Sequence, residues 1–392
     1  MTYNGESISM TKLMPRGMYL TSPFNATHDG LKEYHAKLKT DQREISGMLP
    51  DDVDLPYIKF QSHRVAKLLC LNKLLPKKYQ RKKGEGFLDI CPRVKKEEGI
   101  WLNGCYNAGL TYAEKGTYKN VSAYDYNSYY SRILGGRKGG FKIPMCEPRF
   151  EIIKELPRKI PYGVYRAKIT YDGPDDIQKV FAFSSNNFYT HIDLKNAHGL
   201  SLKRFPSLKI ELIDDDTPNA MIYDDLIMAK DIFGHWFETL SEIKEKTKGN
   251  HLIKQMMNIW GFICEKSVVV KKIPWSEIQT WSHEKSLQYD MYPLDGMMGD
   301  DPIFTCIYLG NPFRTSMGRI KPFLQATARD RIAQMVRKSS IYDNIIRIYY
   351  DGLISKKPIE VYEKGVGHSM KYDKYHGHDI TIRSKIDIEI HK

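Results

Sequence analysis

Apolar residues occur in short runs along the chain, and two of these runs end at an aspartate. The run NIIRIYY is followed by Asp351-Gly352 and then by a second apolar run, LIS. Because Asp-Gly favours tight turns, this pattern predicts a β-hairpin. Another apolar run, in VSAYDYNS, predicts a strand that ends at Asp125, after which Asn127 or Ser128 can cap a helix. The pattern therefore places one carboxylate at the end of each of two strands.

Helical periodicity is clearest in the segments 249–266 and 320–340. The first, GNHLIKQMMNIWGFICEK, is predicted as one helix in which Lys254, Asn258 and Gly261 fall within about 60° of one another. Apolar residues occupy much of its opposite side. The second, IKPFLQATARDRIAQMVRKSS, is predicted as a strongly amphipathic helix that leads into the hairpin.

Strand-like alternation is clearest between residues 161 and 216, in the segments YGVYRAKITYD, FYTHIDL and SLKIELID. Residues 224–266 are predicted to be mainly helical. Residues 267–318 are rich in proline, glycine and aspartate, and they resemble an insertion with short elements of its own. Strands and helices are therefore segregated along the chain, which predicts an α+β fold.

The charge balance favours a polyanionic partner. Lysine and arginine number 60 and aspartate and glutamate 47, giving a net charge of +13 over 392 residues. The 26 tyrosines suit stacking on single-stranded nucleic acid, although a tyrosine-rich core explains them equally well. The six cysteines form no CxxC pair, so neither a zinc site nor a disulfide framework is indicated. With no signal-peptide core and no apolar run of about 20 residues, we expect a soluble cytoplasmic protein without a membrane partner.

Three of these residues suggest phosphoryl transfer when they are taken together. Asp125 and Asp351, brought together from separate strands, could bind two divalent ions, and Lys254 could bind nucleotide phosphates as a point charge. Each residue also has an ordinary explanation. Asp125 fits a strand-to-helix turn, Lys254 fits a solvated helix face, and Asp351-Gly352 fits a plain hairpin turn.

The order of the three segments resembles motifs A, B and C of family B DNA polymerases. DYNSYYS resembles the DxxSLYP motif, KQMMNIWG is similar to the Kx6-7YG helix, and YYDGLI resembles the DTDS hairpin in its reduced TDG form. Upstream, CYNAGLTYA resembles the YxGG/A motif of phage and plasmid polymerases that prime from a terminal protein. The resemblance covers roughly residues 101–392. It implies a right-hand polymerase fold with an antiparallel-sheet palm, helical fingers and insertions.

The resemblance also implies roles for individual residues, carried over by motif position. Asp125 and Asp351 are the catalytic carboxylates, and with Tyr126 they bind two Mg²⁺ ions, for which Mn²⁺ can substitute. Tyr130 is the ring that rejects a ribose 2′-hydroxyl. The remaining nucleotide-binding residues are Lys254, Lys244, Ser128, Asn258 and Trp260. The template and primer contacts are Tyr106, Gly109, Lys371 and Tyr372. The implied partners are a DNA template and primer, deoxynucleoside triphosphates, and a terminal protein or replication accessory proteins.

The domain organisation that we expect follows the same motifs. It comprises an accessory region at 1–100, palm at 101–146 and 319–392, fingers at 236–266, and insertions at 147–235 and 267–318. We expect no 3′–5′ exonuclease, because the region before the first motif is short and shows no DxE strand in the right context. We also expect a reduced thumb.

Departures from the motifs leave alternatives open. Trp260 replaces the motif B tyrosine at a spacing one residue shorter, and Tyr349 replaces the first motif C aspartate. One alternative is a catalytically degenerate polymerase fold that binds DNA or a terminal protein. Another is a right-hand polymerase that makes RNA or reverse-transcribes, against which Tyr130 argues.

Overall fold

The computed structural model describes residues 2–3, 6–7, 28–50, 70–80, 89–105, 108–136, 140–247, 250–264, 270–286, 289–298, 301–308, 313, 315–337, 339–364 and 369–391. The chain forms two compact units. The helical unit comprises Met1–Leu88, Tyr130–Phe141 and Met228–Phe262, and the sheet unit comprises Asp89–Tyr129, Lys142–Ile227 and Ile263–Lys392.

The elements within the described residues are numbered in chain order. The helices are α1 (His28–Ser46), α2 (Lys96–Gly104), α3 (Tyr129–Gly135), α4 (His191–Ser201), α5 (Lys230–Lys246), α6 (His251–Met257), α7 (Ile259–Ile263), α8 (Trp275–Gln279), α9 (His283–Ser286), α10 (Ile320–Val336), α11 (Ser339–Tyr342) and α12 (Glu360–Glu363). Short 3₁₀ turns lie at Lys77–Tyr79, Asp175–Lys179 and Ser316–Arg319. The strands are β1 (Thr2–Tyr3), β2 (Glu6–Ser7), β3 (Thr111–Ala113), β4 (Gly116–Tyr118), β5 (Ser122–Tyr126), β6 (Lys142–Pro144), β7 (Arg149–Glu151), β8 (Gly163–Thr170), β9 (Phe188–Thr190), β10 (Lys209–Leu212), β11 (Ala220–Ile222), β12 (Leu226–Met228), β13 (Val270–Pro274), β14 (Tyr289–Met298), β15 (Asp301–Tyr308), β16 (Ile345–Tyr349), β17 (Gly352–Ser355), β18 (Met370–Tyr372), β19 (Asp379–Ile382) and β20 (Ile388–His391).

The centre of the sheet unit is a five-stranded sheet in the order β18-β5-β17-β16-β3, and every pairing in it is antiparallel. The predicted hairpin is confirmed, but its turn lies one residue earlier than the Asp-Gly pair, because Tyr349 pairs with Gly352 and the turn residues are Tyr350 and Asp351. Apolar β-branched residues drive these strands into the core. A buried cluster joins this sheet to the three-stranded sheet β4-β19-β20, and its members are Val121, Ala123, Ile346, Ile354, Ile380 and Ile382.

The segment between residues 149 and 222 forms a second antiparallel sheet, in which β10, β8, β11 and β7 lie side by side and β9 also pairs with β8. The prediction of a strand through FYTHIDL is wrong from His191 onward, where α4 begins. The reason is a capping box. The Thr190 hydroxyl accepts from the Asp193 N–H, and the Asp193 carboxylate accepts from the Thr190 N–H, which fixes a helix start at this point.

The segment from β13 to β15 has elements of its own, as predicted. These three strands form an antiparallel sheet in the order β13-β15-β14. A small core of Ile273, Ile278 and Cys306 joins the sheet to α8. The protein therefore combines helices with antiparallel sheets, as the segregated pattern predicts.

Helix α10 matches its predicted position but not its predicted amphipathic character. Its buried side carries Gln325 and Arg329 as well as apolar residues such as Ile332, whereas Gln334 on another side is exposed. A buried charged side chain needs partners within the protein. Arg329 has them in Asp193 and the Ala108 carbonyl.

The helical unit contains α1, α5 and α6, together with most of α3 and α7. Helix α6 packs against both α1 and α5. The single helix predicted over 249–266 is wrong, because α6 ends at Met257 and α7 begins at Ile259. The Asn258 N–H contacts the carbonyls of Lys254 and Gln255, which is a tightened last turn. The angular argument that put Lys254, Asn258 and Gly261 on one stripe does not hold across this break.

Candidate active site

Of the two predicted catalytic aspartates, Asp125 lies in β5, and Asp351 lies in the turn that leads from β16 into β17, the strand beside β5. Asp125, near the end of β5, pairs across the ladder with Gly352, the residue after Asp351. The Tyr126 N–H donates to the Asp351 carbonyl at 3.1 Å. A methyl group added at Gly352 would lie 3.8 Å from Asp125 Oδ1, so the glycine leaves the carboxylate uncovered on that side. Both aspartates are half-buried.

One residue near each of these aspartates has a left-handed backbone conformation. Tyr350, beside Asp351, has φ 59°, and Ser128, three residues after Asp125, has φ 51°. For a residue other than glycine this conformation costs roughly 1–2 kcal/mol. The Tyr350 N–H donates to the Leu110 carbonyl at 3.0 Å, which helps to hold the first turn. Strain of this kind is concentrated at functional sites, where the surrounding structure enforces it.

Lys371 lies opposite Asp125 on the other flanking strand, β18. Its ammonium is 2.8 Å from Asp125 Oδ2, with the lysine side chain 52% exposed and the aspartate side chain 25% exposed. Burial acts to lower the pKa of Lys371, but the hydrogen bond and charge of Asp125, together with Asp373 and Asp351, raise that pKa overall. The sequence suggested a primer contact here. The structure adds a direct ion pair with the carboxylate.

Tyr372 continues β18 and presents an aromatic surface. Its ring stacks on His376 with centroids 3.8 Å apart, and it is 44% exposed. Its hydroxyl donates to Glu363, which also accepts from Tyr124. The exposed ring is therefore held in place from two sides.

The donor chemistry of this site fits Mg²⁺. Within the described residues, no three His, Cys, Asp or Glu side chains form a group able to hold a metal ion. Mg²⁺, however, is commonly bound by one or two carboxylates together with water and substrate phosphates, and Asp125 and Asp351 supply two. Tyr349, which the resemblance aligns with an aspartate, packs its ring against that of Tyr350, with centroids 4.6 Å apart. The Arg347 guanidinium lies over the Tyr349 ring, 4.8 Å from its centroid.

The helical unit holds most of the predicted nucleotide-binding residues. Lys254 is exposed in the last turn of α6, and Asn258 is exposed at the end of this helix. Lys244 lies in the last turn of α5. The rings of Tyr130 and Trp260 are in contact, with centroids 4.8 Å apart and planes 31° apart.

The position of Tyr130 is fixed by the helix that carries it. Ser131 donates from Oγ to the Met257 carbonyl at 2.6 Å, and this contact is buried. A methyl group at Gly135 would lie 2.3 Å from Phe237 Cβ, so α3 lies close to α5. The Tyr130–Trp260 pair therefore rests on a tightly packed support.

The predicted template residues are partly outside the description. Tyr106 lies outside the described residues. Gly109 is buried two residues before β3 begins, and the carbonyl of its neighbour Leu110 accepts from the Tyr350 N–H. In the sheet unit the structure thus brings together Asp125, Tyr126, Asp351 and Lys371. Gly109 is the sequence neighbour of Leu110, whose carbonyl contacts the hairpin turn at Tyr350. Their predicted roles remain predictions.

Two groups of residues near these positions were not singled out from sequence. In the sheet unit, Arg329 donates to Asp193 and, at 2.8 Å, to the Ala108 carbonyl beside Gly109. In the helical unit, Asp41 of α1 accepts from the His251 N–H at the start of α6. The Thr190-x-x-Asp193 capping pattern could have indicated a helix start, but the pairing of distant segments leaves no local signal.

No described helix is long and apolar enough to cross a membrane. No protein-family profile matches the sequence. No curated protein matches it significantly.

Among solved structures, the chain is similar to Phi29 DNA polymerase complexed with single-stranded DNA, with a TM-score of 0.54, 13% identity, and coverage of 81% of this chain and 52% of that chain. The same polymerase complexed with primer-template DNA and incoming nucleotide substrates gives a TM-score of 0.55, 13% identity, and coverage of 81% and 53%. Its post-translocation binary complex with primer-template DNA gives a TM-score of 0.53 and 12% identity, with coverage of 81% of this chain and 52% of that chain. The chain spans about half the length of the polymerase that it matches. The protein therefore has a fold related to that of a DNA polymerase.

Proposed function

We propose that this protein is a DNA-templated DNA polymerase that adds deoxynucleotides to a primer by two-metal-ion phosphoryl transfer. One observation carries the proposal. The antiparallel register pairs Asp125 of β5 with Gly352, so Asp351 is the turn residue immediately before the partner of Asp125. The related fold of Phi29 DNA polymerase, solved with primer-template DNA and nucleotides, supports the same conclusion.

In this proposal, Asp125, Asp351 and Tyr126 would hold two Mg²⁺ ions, with Mn²⁺ as a substitute. Bound there, the metal would supply activation of the primer hydroxyl and neutralisation of the leaving pyrophosphate. Lys371 offsets the charge of Asp125 through its ion pair. Because its stem is long and flexible, the ammonium can turn from Asp125 to a primer phosphate. Tyr372 offers its exposed ring to the primer strand.

The helical unit supplies nucleotide recognition in this proposal. Lys254 and Lys244 bind phosphates as point charges. The Tyr130 ring excludes a ribose 2′-hydroxyl, and Trp260 supports that ring through their direct contact. The other residues assigned to the nucleotide are Ser128 and Asn258.

We further place the protein in the protein-primed group of family B polymerases, because CYNAGLTYA resembles the motif of that group. Tyr106 and Gly109 are assigned to the template. The sheets within 147–235 and 267–318 are then the two insertions of that group, and a terminal protein or accessory replication proteins are the proposed partners.

The test is primer extension with Mg²⁺ and deoxynucleotides, comparing the wild type with Asp125→Asn and Asp351→Asn. Each substitution keeps the side-chain shape and removes the charge, so extension should fall by about 10³-fold or more, since metal-ion stabilisation is worth several kcal/mol. Asp172→Asn, an exposed carboxylate elsewhere in the sheet unit, is the matched control and should extend normally.

Two outcomes contradict the proposal. One is no extension by the wild type, and the other is undiminished extension by both aspartate variants. If the wild type binds DNA in a salt-sensitive manner without any turnover, the protein is instead a degenerate polymerase fold.

A further inference from the structure

We propose that the N-terminal helix α1 is a built-in part of the nucleotide site, because it holds the start of α6, the short helix that carries Lys254. This inference rests on the proposed function, since it concerns the affinity for a nucleoside triphosphate. Asp41 is the central positioning residue, and Glu44 assists it.

The contacts between α1 and the start of α6 are specific. The His251 N–H donates to Asp41 Oδ2 at 2.9 Å. The Asn250 amide donates to the Asp41 carbonyl at 3.0 Å and to Glu44 Oε2 at 2.7 Å. The Asn250 Oδ1 in turn accepts from the Ile253 N–H at 3.1 Å. Two N–H groups of the first turn are thus satisfied, one directly and one through a residue that α1 holds in place.

Helix α6 depends on such support because it is short. It has seven residues, a length at which a helix in water is not stable alone. Helix α1 packs against it, and both bury apolar side chains, including Leu38 and Ile45 on α1 and Leu252 on α6. The start of α6 is therefore defined by its neighbours and its caps.

The Asp41 carboxylate is well suited to this task. It is only 4% exposed, and its charge is balanced by Lys37, whose ammonium is 3.2 Å away. A carboxylate at a helix start also interacts favourably with the helix dipole. Lys254 lies one turn beyond the capped His251. A small shift of the helix start would therefore displace the ammonium, and displacements near 1 Å are costly for binding and catalysis.

The main variant is Asp41→Ala, which removes the acceptor for His251. We expect the KM for deoxynucleotides to rise about three- to tenfold, a range that corresponds to the usual value of a helix cap, while kcat stays within about twofold. Asp41→Asn keeps an acceptor oxygen and should behave like the wild type. Lys37→Ala removes the ion pair but keeps the cap, so it is the matched control and should also leave the KM unchanged.

Glu44→Ala provides a second variant at an exposed position, where folding is not at risk. It removes one acceptor of the Asn250 amide and should raise the KM by about twofold, because only the indirect cap is weakened. Amide hydrogen exchange gives a readout that does not need activity. Exchange at His251 should accelerate in Asp41→Ala and remain slow in Lys37→Ala.

The outcomes separate this inference from the proposed function. Unchanged exchange at His251 in Asp41→Ala would show that the cap is absent. Faster exchange with an unchanged KM would show that the cap exists but does not position the nucleotide site. If the wild type extends no primer, the affinity for a fluorescent, non-hydrolysable deoxynucleotide replaces the KM. In that assay, equal affinities of wild type and Asp41→Ala, including no binding by either, overturn the inference.

Discussion

The buried ion pair between Arg329 and Asp193 allows a prediction whose size follows from its contacts. The Arg329 guanidinium donates to Asp193 Oδ1 at 3.2 Å from Nε and at 2.9 Å from Nη2, and to Oδ2 at 3.0 Å. The two side chains are 4% and 6% exposed. Nη1 donates to the Ala108 carbonyl at 2.8 Å. The pair thus connects three separate segments of the sheet unit.

In Arg329→Met the volume is roughly kept, but the Asp193 carboxylate remains buried without its counter-charge. Breaking a buried pair in this way costs about 3–5 kcal/mol. The lost bond to Ala108 contributes little to this cost, because Ala108 is exposed and its carbonyl can bind water. The uncompensated charge therefore dominates the expected loss of unfolding free energy.

Asp193→Asn leaves the opposite charge buried and should cost a similar amount. The double variant buries no charge, and an asparagine at 193 keeps the oxygen that caps α4. Its destabilisation should be at least about 2 kcal/mol smaller than the sum of the two single variants. Urea denaturation of all four proteins, followed by circular dichroism, measures this coupling.

Additive effects, within about 0.5 kcal/mol, would refute the reasoning, since additivity is the behaviour of sites that do not interact. The double variant also has a functional use. It should fold yet lack the bond that Arg329 makes beside Gly109, so its affinity for template DNA should be weaker than its stability alone explains.

Three further predictions concern stability and specificity. Burial lowers the pKa of the His191 imidazole to about 3, so the folded state keeps it neutral while the unfolded chain takes up a proton below about pH 6.5. This difference has no effect above pH 6.5, and it lowers the free energy of unfolding as the pH falls from 6.5 towards 3, by up to about 1.4 kcal/mol per pH unit. His191→Gln should flatten the pH dependence of urea unfolding in this range, and an unchanged slope contradicts this. Gly135→Ala should destabilise the protein by about 1–3 kcal/mol, because its methyl would lie 2.3 Å from another side-chain carbon. Gly234→Ala, whose methyl would have no atom nearer than 3.7 Å, should instead stabilise α5 by up to about 1 kcal/mol. Equal melting temperatures of the two variants would rule out this packing argument. Trp260→Ala removes the ring behind Tyr130 and should raise ribonucleotide relative to deoxynucleotide incorporation about tenfold; unchanged discrimination would mean that Tyr130 needs no such support.

The elements that depend on local chemistry could be predicted from the sequence. The hairpin near Asp351-Gly352 was predictable because a turn-forming pair between two apolar runs favours one, although the turn itself falls on Tyr350 and Asp351. The strand that ends near Asp125 was predictable from its run of apolar residues. The departures also have local causes. The capping box at Thr190 starts a helix inside an alternating pattern, and the tightened turn at Asn258 interrupts a periodicity that continues on both sides.

The pairings between distant segments could not be read in this way. That Lys371 lies opposite Asp125 depends on the register of β18 against β5, and nothing in either segment alone specifies that register. The contact of Asp41 with His251 depends equally on how α1 packs. The sequence showed which side chains have the chemistry for a site, but only the structure shows which residues they contact.

The place of β5 in the central sheet has a consequence for how the molecule is made. This strand, which carries Asp125, has β17 on one side and β18 on the other, and both are synthesised more than two hundred residues after it. Until Met370–Tyr372 emerges from the ribosome, one side of β5 has no partner in this sheet, and unpaired strand edges attract other chains. Fragments that end before β18 should therefore aggregate during expression, and the amide groups of β5 should be among the last in the protein to gain protection from hydrogen exchange.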